Sequence, residues 1–453
     1  MSQTAFDAPF ATTAHPVSTV TTAATTTTSR LSHEFVPGYR GLRCRACGAP
    51  GSDGAVFVCG RCFGPLEPVY DLDAIRTRLD RATLDGRDAT IWRYAELLPI
   101  TQLPIAGPRV GLSPLTEAPR LAARLGLDRL WVKDDSRNPT LSFKDRPVAV
   151  AAARAVAWGY HTLACASTGN LSAAVAAAAA AHGLRAVVFI PADLEPAKIA
   201  QARALGATVV RVDGPYDDVN RLCLELTDEL DGWAVANVNL RPFYAEGSKT
   251  IAYEIGQQLG WRAPDVLVAP LASGSMYTKL ARGFDELVAL DLIDAAPVRY
   301  FGGQASGCAP IADAYAAGTD SVRPVERPDT IVRSLSIGSP ADGGYAIKQA
   351  RESDGAILGV PDDETVAAIR LLAETTGILT ETAGGVTLAA LRRAIAEGRI
   401  DRDEETVLLI TGNGLKTLDV LADAPAASLP EPIAPSFDAF EAWWRSTQEA
   451  EAA

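Results

Sequence analysis

Lys144 stands where a polar, Pro-containing loop, Asp134 to Phe143, gives way to a helix pattern opening at Asp145. A lysine at a helix N-terminus feels the positive end of the dipole, which disfavours its protonated form. That suits an amine that forms a Schiff base. Alone the signal is weak, because most lysines at helix starts are simply solvated. Three strand-to-helix loops accompany it. Ala166-Ser167-Thr168-Gly169-Asn170 offers amides and hydroxyls to a carboxylate. Ala272-Ser273-Gly274-Ser275 can cradle a phosphate by amides, hydroxyls and a helix dipole. Thr411-Gly412-Asn413-Gly414 follows a strand pattern over Thr406–Thr411. Each loop alone reads equally well as a capped turn. One lysine with three such loops points to a phosphorylated cofactor that carries an aldehyde.

A second constellation lies upstream. Cys44-x-x-Cys47 and Cys59-x-x-Cys62 are separated by eleven residues. Four thiolates at this spacing can close a tetrahedral site around zinc, and a closed site is structural. Gly48, Gly60 and Gly64 let amides turn toward the sulfurs. The alternative is four free or pairwise-oxidised thiols. Arg40, Arg43, Arg45 and Arg61 make the patch basic, which fits nucleic-acid contact, a self-interface or a solvated face. Cys165, Cys223 and Cys308 are dispersed; Cys165 and Cys223 read as core.

These residues need elements to hold them. Strand patterns cover Leu130–Lys133, Thr162–Ala166, Ala186–Ile190, Thr208–Val212, Val266–Pro270, Val298–Phe301 and Thr406–Thr411. Helix patterns lie between them, among them Asp145–Gly159, Asn170–Gly183, Gly247–Gly260, Ser275–Leu290, Asp362–Thr376 and Thr387–Glu397. The alternation predicts an α/β fold with doubly wound, mostly parallel sheets. The chain has 453 residues, with 42 Lys plus Arg against 55 Asp plus Glu, a formal charge of −13. Such an acidic chain is a poor nucleic-acid or anionic-membrane binder. No apolar run approaches the roughly 20 residues of a membrane span. Without an export signal, the cytoplasm is expected and thiols stay reduced or hold metal. No Walker A or G-x-G-x-x-G occurs, and four His with no H-E-x-x-H argue against nucleotide or catalytic-zinc chemistry.

The motifs SFKDR, ASTGN and TGNGLK together resemble the fold-type II pyridoxal-phosphate enzymes, and the threonine synthase family in particular. The likeness runs from about residue 35 to about 425, through NPTLSFKDR, CASTGNLS, FIPADLEPAKIAQARALGA, VNLRPFYAEGSKT, APLASGSMYTK, SLSIGSPADGG, ETAGG and ITGNGLKT. The cysteine patch also recurs in some members. The resemblance implies a tryptophan-synthase-β-like fold and pyridoxal 5'-phosphate bound through Lys144. It implies that Phe143 packs beside the ring, Asn170 meets the ring hydroxyl oxygen, and Ala272, Ser273, Gly274 and Ser275 hold the cofactor phosphate. It implies too that Thr411 faces the pyridine nitrogen and that Ser167, Thr168 and Gly169 hold the substrate carboxylate. Two positions depart from the family pattern. The phosphate loop has one glycine, Gly274, and Leu171 stands where many relatives have threonine, leaving Ser172 or Thr168 to orient substrate.

The expected reaction is O-phospho-L-homoserine plus water giving L-threonine plus phosphate. A dianionic leaving phosphate needs cationic donors; Asn239, Arg241 and Lys249 are the candidates, with Arg241 on the substrate phosphate. The alternatives are β-replacement on O-phosphoserine, as in cysteate-synthase-like relatives, an amino-acid dehydratase, and a zinc-ribbon interaction protein without catalysis. The expected domains are a disordered tail (1–32), a zinc-ribbon-like segment (33–68), a large cofactor domain (69–147 and 258–425), a small α/β domain (148–257) and a helical tail (426–453). The expected partners are a phosphorylated amino acid and a second copy of the chain, with neither nucleic acid nor membrane.

Overall fold

A computed structural model describes residues 36–452, apart from 57, 105–106, 193, 195, 296 and 423–431. The tail reading for residues 1–32 falls outside the described residues. Three sheets carry the chain. The first is small and antiparallel, ordered β2-β1-β3, from β1 (Tyr39–Cys44), β2 (Pro50–Gly51) and β3 (Leu66–Tyr70). It brings the two cysteine knuckles together.

The largest sheet uses β4 (Leu115–Glu117) and β5 (Leu130–Asp134). Between β5 and its next strand in the chain comes a separate four-stranded parallel sheet. That sheet, ordered β8-β7-β6-β9, is built from β6 (Thr162–Ala166), β7 (Arg185–Pro191), β8 (Thr208–Val212) and β9 (Trp233–Val235). The chain then returns with β10 (Val266–Pro270), β11 (Arg299–Ala305), β12 (Ala356–Val360) and β13 (Thr406–Ile410). The six strands stand in the order β12-β11-β10-β13-β5-β4, all parallel except β4. Strands β6, β10 and β13 are buried along their whole length, as expected of parallel strands covered on both faces by helices. In such sheets the ligand crevice lies beyond the carboxyl ends of the strands. The three loops singled out in the sequence occupy those ends, after β6, β10 and β13.

The turn after β5 is fixed from below by buried charges. Lys133 pairs with Glu254 at 2.7 Å, and Arg146 pairs with Asp135 at 2.7 Å and with Glu254 at 2.5 Å. All four side chains are fully enclosed, so none can leave without stranding a charge. Lys144 sits two residues from Arg146 on this frame.

The helix expected over Thr387–Glu397 runs Thr382–Ala396. Gly384 and Gly385 lie inside it, where the helix presses against its neighbours. A Cβ on Gly385 would stand 2.6 Å from the Thr365 carbonyl oxygen. Beyond residue 431 a helix, Phe437–Ala452, exposes Phe437, Phe440 and Trp444. Among the described residues no helix is long and apolar enough to cross a membrane.

Candidate active site

Helix Asp145–Ala157 starts immediately after Lys144, whose backbone is already helical. The Lys144 side chain is half-buried in the cleft wall and donates to the Tyr244 hydroxyl at 3.2 Å. Its amine is pushed down to about 8, chiefly by burial; Glu381 and Cys165 pull the other way. Desolvation, rather than the helix dipole anticipated from the sequence, is the leading cause.

Lys144 opens onto a cleft that also collects Phe143, Ser167, Thr168, Asn170, Ala272, Ser273, Gly274, Ser275, Arg241 and Thr411. The residues named from sequence therefore converge from loops far apart in the chain. Gly274 adopts φ +89° just before helix Ser275–Ala289, and a Cβ there would approach the Asp342 carbonyl oxygen to 2.9 Å. Only glycine fits that bend without strain. The helix amides beyond it are thereby left facing the cleft. In the loop after β6, the Ser167 hydroxyl accepts from the amides of Gly169 and Ser172 at 2.9 and 3.0 Å. Its lone pairs organise the loop. Gly169 lies just behind the cleft wall, against Lys198, at φ +123°.

Two expected substrate residues lie elsewhere. Lys249 is fully enclosed, 2.8 Å from Glu246 and 2.9 Å from Glu286, with Tyr70 beneath it. Its position after helix Arg241–Glu246 turns it into the interior rather than onto a loop. Asn239 spends its amide on the ends of β9, accepting from Val235 N–H at 2.8 Å and donating to the Trp233 carbonyl at 3.1 Å. Neither lines the cleft, which corrects both expectations. Arg241 does line it, one-third exposed, and pairs with Asp342 at 2.6 Å.

Other residues at the site escaped the sequence reading. Glu381 accepts from the Asn170 amide at 2.7 Å, and Lys416 donates to the Asn170 oxygen at 3.0 Å. Asn170 is thus locked in one orientation between a carboxylate and an ammonium. Lys416 is itself pushed down to about 8 by burial. Tyr244, Tyr216, Asn237 and Ser334 complete the polar walls. Glu381 and Lys416 do fall inside ETAGG and TGNGLK, so their motifs held a signal that only the pairing reveals.

A model of the family described as pyridoxal-phosphate dependent enzyme matches residues 107–412. The chain is 37% identical over 384 residues to a threonine synthase of Methanosarcina acetivorans, covering 84% of this chain and 93% of that protein. It is 36% identical to a threonine synthase of Methanocaldococcus jannaschii, over 86% and 95% of the two chains. A threonine synthase of Mycobacterium tuberculosis is 38% identical, over 72% and 87%. The chain belongs to the threonine synthase family of pyridoxal-phosphate dependent enzymes.

Solved structures agree on the fold. Diaminopropionate ammonia lyase from Escherichia coli superposes with a TM-score of 0.59 at 19% identity, covering 70% of this chain and 88% of that one. Threonine deaminase isoform 2 from Solanum lycopersicum superposes at 0.56 with 23% identity, covering 68% and 82%. The fold is therefore that of the fold-type II cofactor enzymes.

The walls fit the family's cofactor. An amine of lowered basicity, an amide-rich cradle held open by Gly274, and an oriented Asn170 suit an aldehyde, a phosphate and a ring oxygen respectively. Two buried polar atoms on the cleft walls, Ser334 Oγ and Glu381 Oε2, have no hydrogen-bond partner among the described residues. Buried polar groups left so are uncommon unless a ligand or water completes them.

The four cysteines also meet. Their sulfurs all lie within 4.8 Å of one another. The closest pairs, Cys44–Cys62 and Cys47–Cys59, stand at 3.5 and 3.8 Å, far beyond a sulfur–sulfur bond. The Cys47 amide points to the Cys44 sulfur at 3.5 Å and the Arg61 amide to Cys59 at 3.3 Å. Four sulfurs with amide donors behind them form a donor set suited to zinc.

Proposed function

We propose that this chain converts O-phospho-L-homoserine and water to L-threonine and phosphate. Strong identity with threonine synthases supports the reaction. The observation that carries the substrate assignment is Arg241: a second anion-binding group stands in the cleft of Lys144, distinct from the cradle Ala272–Ser275. A cofactor phosphate held by amides and a helix dipole needs no arginine. A second phosphate, at the far end of a four-carbon substrate, does.

Pyridoxal phosphate, when bound through Lys144, supplies an electron sink that acidifies the substrate carbons. Displaced by the substrate's own amine, Lys144 would be free to take and return protons at its Nζ, and an amine near pKa 8 exchanges them readily at neutral pH. The Tyr244 hydroxyl at 3.2 Å steadies that amine. Asn170, clamped by Glu381 and Lys416, would hold the ring oxygen. Thr411, also on the cleft wall, would offer the ring nitrogen a hydroxyl rather than a carboxylate, which would leave that nitrogen largely unprotonated. Ser167 and Thr168, on the cleft wall after β6, would receive the substrate carboxylate. As the β-proton leaves and the Cγ–oxygen bond breaks, Arg241 takes up the charge gathering on phosphate. Having first taken the Cα proton, Lys144 Nζ would supply one to Cγ and, after water adds at Cβ, return one to Cα.

Zinc in the four-cysteine site, a cytoplasmic location and a homodimer belong to the same reading; the converging thiols support the first. Incubating the cofactor-loaded protein with O-phospho-L-homoserine and assaying threonine together with phosphate tests the reaction. Equal yields of the two are expected.

A further inference from the structure

The ribbon and the cleft are joined through one arginine. Arg45 lies between Cys44 and Cys47, inside the first cysteine knuckle. Its guanidinium carbon stands 3.8 Å from the centre of the Tyr345 ring, and its Nε 3.6 Å from Glu67. The Arg45 amide donates to the Pro65 carbonyl at 2.9 Å, beside the second knuckle, so the residue is tied to both halves of the cysteine site. Tyr345 sits in the first turn of helix Gly343–Glu352.

Three residues before Tyr345 is Asp342. Its carboxylate accepts from Arg241 at 2.6 Å, and its amide donates to the Ser273 carbonyl at 3.0 Å. Arg45, Asp342, Arg241 and Ser275 border one small cavity. A short chain of contacts therefore runs from the cysteines through Arg45 and Tyr345 to Asp342 and Arg241. The stretch before Asp342 is irregular. Its other ties are the Val325 amide on the Gly338 carbonyl at 3.0 Å and the Gly338 and Ser339 amides on Asp217. On the far side of Asp342, where the helix begins, the Arg45–Tyr345 stack adds to the burial of Ala346 and Ile347 in the core.

We propose that Arg45 is a positioning residue for the substrate-phosphate site. Through its stack on Tyr345, a metal-filled ribbon holds Asp342, and Asp342 holds Arg241 aimed into the cleft. This rests on the role given to Arg241 above. A structural metal stiffens the segment that carries its ligands, and losing it frees that segment first. The freed Arg45 no longer pins Tyr345, and Arg241 is then ordered only when the substrate phosphate binds. That ordering cost appears in substrate affinity. Once the substrate is bound, Arg241 is in place and the chemical step is unchanged.

The test compares cofactor-loaded wild type, Arg45→Ala, Tyr345→Ala and Tyr345→Phe, each with its metal and after metal withdrawal by a chelator. Hydrogen exchange is followed at the amides of Asp342, Gly343 and Ala346. Faster exchange is expected there in Arg45→Ala, in Tyr345→Ala and in metal-stripped wild type. Stripping should add little to Arg45→Ala, since both changes cut one connection. Tyr345→Phe keeps the ring face and should match wild type. KM for O-phospho-L-homoserine should rise about three- to fivefold in the two alanine variants, the scale of a partly exposed cation–π contact. Their kcat, cofactor content and metal content should hold. Unchanged exchange in Arg45→Ala with its metal in place overturns the proposal, as does a metal effect that adds in full on that variant. A protein that turns over no O-phospho-L-homoserine contradicts the proposed function instead, and the exchange result alone then decides the role of Arg45.

Discussion

Arg241 and Asp342 meet at 2.6 Å, joining the short helix after β9 to the segment packed against the phosphate cradle. The pair leaves Arg241 one-third exposed in the cleft, a guanidinium already aimed and available to a second anion. Arg241→Ala should keep its cofactor and the cofactor's absorbance, because the cradle lies elsewhere. It should lose about 2–4 kcal/mol of transition-state stabilisation toward O-phospho-L-homoserine, the scale of one oxyanion donor. An amino acid without phosphate should still perturb the cofactor spectrum. Loss of cofactor on purification, or normal turnover, would place the substrate phosphate elsewhere.

Lys144 is the lysine on the cleft wall, and no other lysine borders that cleft among the described residues. Lys144→Ala should bind pyridoxal phosphate only reversibly. Borohydride reduction followed by peptide mapping reads the attachment directly: wild type should carry label on the Lys144 peptide and the variant on none. Label on Lys416 or Lys198 in the variant would move the anchor.

The lowered basicity of Lys144 gives a pH signature. A neutral amine is needed to attack an aldehyde, and the neutral fraction rises with pH through the group's own pKa. Cofactor uptake by the stripped protein should therefore accelerate up to about pH 8 and flatten above it. An ordinary exposed lysine would keep accelerating to about pH 10. Glu381 favours the protonated amine, so Glu381→Gln should shift the midpoint downward. Stopped-flow absorbance across the pH range checks both.

Protein purified without added zinc should contain about one zinc per chain, bound by Cys44, Cys47, Cys59 and Cys62. Withdrawing it should expose the segment around the β1–β3 sheet to protease before the two parallel sheets yield. A metal-free sample with an intact ribbon and full activity would contradict this.

Local patterns were legible because they depend on neighbours in the chain. The strand-to-helix loops, the two knuckles and Lys144 at a helix start all announce themselves within a few residues. Pairings across the chain were not. Glu381 and Lys416 clamp Asn170 from 211 and 246 residues away, and no local spacing encodes that. Lys249 was expected on the substrate phosphate, but the helical backbone that carries it turns it inward onto Glu246 and Glu286. The helix expected from Thr387 begins earlier, at Thr382, and takes in Gly384 and Gly385 although glycine usually weakens helices. Tight packing against Thr365 and Thr380 reverses that preference. β4, three residues long, carries too few residues for its pattern to stand out.

The central claim is that the cleft is built for a phosphate at the end of a four-carbon amino acid. Cofactor-loaded protein given O-phospho-L-homoserine and O-phospho-L-serine together in one vessel tests this most directly, with products followed by NMR. The account predicts threonine and phosphate in equal amounts from O-phospho-L-homoserine, while O-phospho-L-serine is largely spared. Preferential consumption of O-phospho-L-serine, or phosphate release without threonine, would contradict it.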